Sequence, residues 1–218
     1  KSLIARKKSK VINNFKVRYK KVEDFALPYK KGNINVIEVI DGQLITKRLL
    51  APPKVENGYV IPDIKRDILK IVVVNRYKDD AKVSTCFVKN FGLKKGAIAS
   101  SVAHDSHNII AVGTNDKDIC KAVNLIIKNE GGICAISEEK EMILVLPIAG
   151  IMSNEDYHEV SEKYIALDRM AKSLGSTLSA PFMTLSFMAL VVIPALKLSD
   201  GGLFDSEKFK FINVFEEP

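Results

Sequence analysis

The densest group of side chains able to do chemistry is the run His104-Asp105-Ser106-His107-Asn108. Neutral imidazoles and a carboxylate can bind metal, move protons or hydrogen-bond a heterocycle. Asn108 both donates and accepts, a pattern that suits the edge of a purine. All five are candidates for closing over a substrate or for supporting a metal centre from behind. The His-x-x-His spacing is less specific than His-Glu-x-x-His, whose two histidines lie one helical turn apart. In a strand, residues 104 and 107 would point to opposite faces. A polar turn that satisfies its own hydrogen bonds needs no ligand, and that is the competing reading. The chain holds three histidines in all. The third, His158, falls on the polar face of an expected helix and reads as surface. No catalytic residue and no metal ligand is therefore assigned within this chain.

Other reactive groups carry less. Cys86, Cys120 and Cys134 are odd in number and share no metal-ligand spacing, which points to buried, reduced thiols. Ser101 lacks both a Gly-x-Ser-x-Gly frame and a placed base, so a hydrolase triad has little support. Gly96, Gly113 and Gly131-Gly132 form neither a dinucleotide fingerprint nor a P-loop. Glu138, Glu139 and Glu141 read as a solvated hairpin tip.

The elements that must position the cluster follow from periodicity. Asn33 to Ile40 alternates apolar and polar, Asp41-Gly42 signals a turn, and Gln43 to Leu50 returns as a second strand. Asn57-Gly58 is a second turn dipeptide. Leu69 to Val74 is a continuous apolar run, expected as a strand buried on both faces. Lys82 to Lys89, Ala97 to Ala103 and Asn108 to Gly113 read as strands. The polar cluster lies between the last two, where rigid scaffolds tend to display functional groups. Thr114-Asn115-Asp116 offers N-cap side chains for a helix carrying Ile119, Ala122, Val123, Ile126 and Ile127, stopped by Gly131-Gly132. A strand pair follows around Ser137 to Glu141. Ser153, with Asp156 three residues on, is expected to open a further helix that Gly175 ends. Pro181 suits the first position of a helix over Phe182 to Leu190.

The chain has 218 residues, 47% hydrophobic and 27% charged, a globular composition fitting one large domain or two small ones. Its net charge of +7 is local. Residues 1–31 carry eleven Lys or Arg against Glu23 and Asp24, a net of +9, which leaves −2 for the remainder. With few interleaved aromatics and no recognisable motif, this segment reads as a solvated edge, or a surface that meets a missing part of the protein, rather than a nucleic-acid surface. The longest uncharged run, Ser173 to Leu196, is broken by Pro181 and Pro194 and rich in Ser and Thr, so a membrane span is not expected. No apolar segment follows the basic start, so no signal peptide is expected, and a cytoplasmic location fits. The chain begins with Lys rather than Met, which reads as a processed product or a fragment of something longer.

The run GAIASSVAHDSHNIIAVGTND, residues 96–116, resembles a stretch in the C-terminal part of bacterial and archaeal adenine deaminases. INVIEVIDGQLITK (34–47), RDILKIVVVNRY (66–77), FVKNFGLKKGA (87–97), LPIAGIMS (146–153), PFMTLSF (181–187) and LKLSDGGLFD (196–205) are similar to the same family in the same order. The resemblance covers roughly residues 30–215. It implies an enzyme of the amidohydrolase superfamily, converting adenine and water to hypoxanthine and ammonia at a binuclear manganese or iron centre. In that family the centre sits in a TIM barrel of about 250 residues, with its first ligands in a His-x-His pair. This chain has no His-x-His and no length for such a barrel. The expectation is therefore an α+β chain without a complete barrel. Residues 1–75 would be a β-rich part of a β-sandwich beside the absent barrel, and residues 76–218 an α+β sandwich domain. The implied partners are adenine, the N-terminal barrel portion and further copies in a homo-oligomer, with no metal expected on this chain alone. The reading from another class is a standalone module that binds a nucleobase or a partner without catalysis.

Overall fold

The computed structural model describes residues 11–216. Its strands are Ile34–Val39 (β1), Thr46–Ala51 (β2), Lys54–Glu56 (β3), Tyr59–Ile61 (β4), Ile68–Val74 (β5), Val83–Lys89 (β6), Ala97–Ser100 (β7) and Ile109–Gly113 (β8). Helix α1 (Asp116–Lys128) follows, then Gly132–Ile136 (β9) and Glu141–Val145 (β10). Helices α2 (Tyr157–Ser173) and α3 (Pro181–Phe187) precede Leu196–Ser199 (β11), Gly202–Asp205 (β12) and Lys210–Phe211 (β13). The class is mixed α+β, as expected, and the sheet does not close. Eight strands run in the order β10-β9-β7-β8-β5-β6-β1-β2, leaving β10 and β2 as edges.

The strands form where alternation or continuous apolar character predicts them. β5 is buried at all seven positions. It lies in mid-sheet, antiparallel to β6 on one side and β8 on the other. Its side chains divide with period two. Leu69, Ile71 and Val73 face a core shared with Ile98, Ile110, Val112 and helices α2 and α3. Val72 and Val74 face a second core with Ala97, Ala99, Ile109, Ala111 and helix α1. Helices thus cover both faces of the middle of the sheet, and β11–β13 form a small second sheet on the α2/α3 side. Each buried Ile or Val in these layers is worth about 1.5–3 kcal/mol.

Two expectations are corrected. Helix α2 begins at Tyr157, not Ser153. Ser153 Oγ accepts from Glu155 N and closes a local turn, while Asp156 accepts from His158 N at 2.9 Å and is the cap. The expected division at residue 75 falls within one sheet. β5 precedes it and β6 follows it, and the two pair over seven residues from Ile68–Lys89 to Val74–Val83. Hydrogen bonding completes the ladder across the expected division.

Among the described residues, no helix is long and apolar enough to cross a membrane. The uncharged run becomes α3 followed by buried β11. Residues 1–10, which hold five of the eleven cations of the basic segment, lie outside the described residues.

Candidate functional site

Strands β7 and β8 are antiparallel neighbours, with Ser100 opposite Ile110, so the chain between them must turn back at one end of the sheet. Ser100 Oγ accepts from Val102 N at 2.9 Å and starts that reversal. Residues 104–107 form the turn itself. His107 N donates to Ala103 O at 2.7 Å, and His107 takes φ +50°, a conformation His tolerates better than bulkier residues.

The turn brings together what a strand would have separated. The rings of His104 and His107 lie with centroids 5.5 Å apart at 70°. His104 packs on Phe187 at the end of α3, centroids 4.8 Å apart, and its backbone N–H donates to Ser186 O. Asp105 and Ser106 are exposed, and His104 and His107 are half-buried. Asn108 behaves differently: it is 3% exposed and its Oδ1 accepts from the backbone N–H of Arg76 at 3.3 Å. Its amide anchors the turn and is not offered to a purine edge from the open side. Four of the five expected residues thus share a surface, and the fifth lies beneath it.

Electrostatics keep His107 neutral. Burial lowers its pKa first, and charge repulsion from the neighbouring His104 and Arg76 side chains lowers it further against a smaller opposing pull from Asp105. Its Nδ1 is buried without a hydrogen-bond partner, so the imidazolium, which needs both N–H groups satisfied, is disfavoured.

Arg76 and Tyr77, just beyond β5, complete the site and were not singled out from sequence. Arg76 is 4% exposed, and the carbon of its guanidinium lies 4.9 Å from the centre of the Phe15 ring and 4.7 Å from that of the Tyr77 ring. Nη2 donates to Tyr77 Oη at 2.9 Å and to Ala149 O at 2.8 Å. Gly150, at φ +71°, admits the guanidinium, since a Cβ there would stand 1.9 Å from Nη1. Tyr77 Oη in turn donates to Ser106 O at 3.0 Å. Next to them, Asn75 Nδ2 donates to Asp200 Oδ2 at 2.7 Å, which draws the β11–β12 turn to the same end of the sheet. The available signal was an Arg-aromatic pair ending a buried strand, but an arginine at a strand end reads as solvated by default.

The remaining candidates are structural. Ser101 is fully buried and its Oγ bonds Gly150 O, Gly132 O and Gly132 N, a hub that joins β7 to β9. The three cysteines are free and buried; burial pushes the Cys86 thiol up to about 12 and raises Cys120 and Cys134. Thiolate chemistry is therefore remote from all three. His158 is exposed beside Tyr157. Among the described residues no three His, Cys, Asp or Glu side chains gather as a metal site. Shallow clefts of about 520 Å³ beside Arg18 and Asp79, and of about 550 Å³ beside Arg48 and Phe211, are lined by none of residues 104–108. The turn therefore offers a neutral imidazole, a second imidazole, a carboxylate and a hydroxyl on an open face. That set can hydrogen-bond a heterocycle or pass a proton, and it is too small to hold a binuclear metal centre.

The sequence profile of the adenine deaminase C-terminal domain matches residues 43–210. The chain is 48% identical over 207 residues to the adenine deaminase of Borreliella afzelii, covering 93% of this chain and 37% of that one. It is 55% identical over 184 residues to the adenine deaminase of Methanosarcina acetivorans, 84% of this chain and 33% of that one. It is 54% identical over 202 residues to that of a Sulfurovum species, 92% of this chain and 36% of that one. The chain spans about a third of the length of these curated relatives.

Proposed function

The chain belongs to the adenine deaminase C-terminal domain family, and from that membership we propose that it is the C-terminal portion of a longer adenine deaminase. The reaction is the hydrolysis of adenine to hypoxanthine and ammonia in cytoplasmic purine salvage. The observation that carries this reading is identity near one half over almost the whole chain, against only a third of each relative. A manganese or iron pair does not fit the residues of this chain. Its ligands would lie in an N-terminal barrel.

What these residues can contribute is closure. The turn at 104–107 faces outward from the end of a rigid sheet, and a turn so placed can cap a neighbouring pocket and exclude water. Asp105 accepts hydrogen bonds, as an exocyclic amine would require. Neutral His107 offers Nε2 to a ring nitrogen or to a proton in transit.

The experiment replaces the C-terminal third of the Methanosarcina acetivorans relative with this chain and measures ammonia release from adenine. The chimera should turn over and the 218-residue chain alone should not. Asp105→Ala and His107→Ala in the chimera should lower turnover on the order of tenfold to a hundredfold at nearly unchanged Tm. A folded, metal-loaded chimera without activity sinks the reading. If that chimera still bound adenine, the module would be a nucleobase binder without catalysis.

A further inference from the structure

Arg76 makes no ion pair with any described residue, and its Nε and Nη1 are buried without a hydrogen-bond partner. Burying a guanidinium without a carboxylate costs several kcal/mol, and an apolar side chain of similar volume often serves stability better. Packing alone therefore does not account for an arginine here. Its contacts do. The backbone N–H of Arg76 holds Asn108 at one end of the turn. Its Nη2 donates to Tyr77 Oη, which fixes the direction of that hydroxyl's own proton toward Ser106 O within the turn. The C-terminal half of the turn is thus gripped at two points by consecutive residues at the end of a fully buried strand. The same nitrogen bonds Ala149 O, so the guanidinium also ties the turn closed by the Ile148–Met152 bridge.

We propose that Arg76 and Tyr77 are positioning residues that latch the His104–Asn108 turn to the end of β5 and present its imidazoles and Asp105 in one fixed arrangement. The inference rests on the deaminase reading for the purpose of that arrangement, not for its existence. A guanidinium suits the place because its broad, delocalised charge lies near two aromatic rings while Nη2 serves a hydroxyl and a carbonyl; a lysine concentrates the charge on one compact, strongly hydrated ammonium. The positive charge also opposes protonation of His107. His104, Arg76 and Asp105 are the charged or titratable groups that act on His107, and the α3 residues against the turn, Ser186 and Phe187, are uncharged.

The test uses the 218-residue chain, followed by amide hydrogen exchange and by histidine ring NMR. Tyr77→Phe removes one hydroxyl and should speed exchange at the His107 amide by about tenfold, leaving Ile110 and Val112 in β8 unchanged. Arg76→Lys should loosen the turn likewise while His107 still titrates below its usual range. Arg76→Met should loosen the turn and also move the His107 titration upward. Unchanged exchange at residues 104–108 in Tyr77→Phe overturns the latch, as does equal acceleration throughout β8. Neither readout needs turnover, so an inactive chimera with an intact latch would count against the deaminase reading alone.

Discussion

His107 combines a left-handed backbone, an enclosed Nδ1 and a neighbouring imidazole. Its pKa lies below the ordinary 6.5 in the folded chain and at the ordinary value when unfolded. Below the ordinary value the unfolded state therefore binds more protons than the folded one. Stability falls as pH drops through the window just under 6.5, and the deficit persists at lower pH. His107→Asn removes the titration and suits the positive φ. Thermal melts from about pH 7.5 to about pH 5 should then show a smaller loss of Tm in the variant than in the parent. Equal losses would mean that His107 does not couple protonation to folding. At this scale the sequence revealed the composition of the cluster but not its orientation. Periodicity gives two outcomes for His104 and His107, opposite faces in a strand or a shared face in a turn. The bond from His107 N to Ala103 O decides for the turn. The burial of Asn108 depends on Arg76, thirty-two residues away in sequence.

Elements set how firmly the turn is mounted. The β7–β8 pair carries it, and Gly96 stands just before β7 at φ +74°. There a Cβ would lie 2.1 Å from Ile136 O, a backbone atom of β9 that cannot swing aside. Gly96 O also accepts from both the backbone N–H and the hydroxyl of Thr114, just ahead of α1. Gly96→Ala should cost about 2 kcal/mol or more, visible as a lower midpoint in urea. An unchanged midpoint would show that β9 yields more easily than its hydrogen bonds imply. Strand and helix identities at this scale were largely legible. The continuous apolar run of β5 predicted burial on both faces, and the α1 stripe predicted Ile119, Val123 and Ile126 in the core. The start of α2 was not legible, because Ser153 and Asp156 are equally good caps by type. The local turn closed by Ser153 decides between them.

In the whole molecule, residues on either side of position 75 form one sheet. β5 supplies one ladder to β6 and another to β8, with its apolar side chains in two cores. Lys70 on the same strand is fully buried, with Nζ bonded to Phe25 O at 2.9 Å and to Asp116 Oδ1 at 2.5 Å. A chain reduced to residues 76–218 would lose these ladders and expose β6 and β8 as apolar edges. Expressed alone, it should be aggregated or lack dispersed NMR signals, whereas residues 11–218 should give a dispersed spectrum. A well-folded 76–218 fragment would restore the expected division.

The amino-acid sequence by itself determined the α+β class, the order of nearly all elements, the family, and the run of five residues that could do chemistry. Those properties follow from local periodicity, turn chemistry and residue type, which neighbours in the chain specify. Tertiary structure alone decided that both histidines share a face, that Asn108 lies beneath it, and that Arg76 is buried under the turn. The first turns on a bond four residues apart in a loop seated on α3, the other two on hydrogen bonds and burial between segments distant in the chain, and such contacts leave no periodic trace along it.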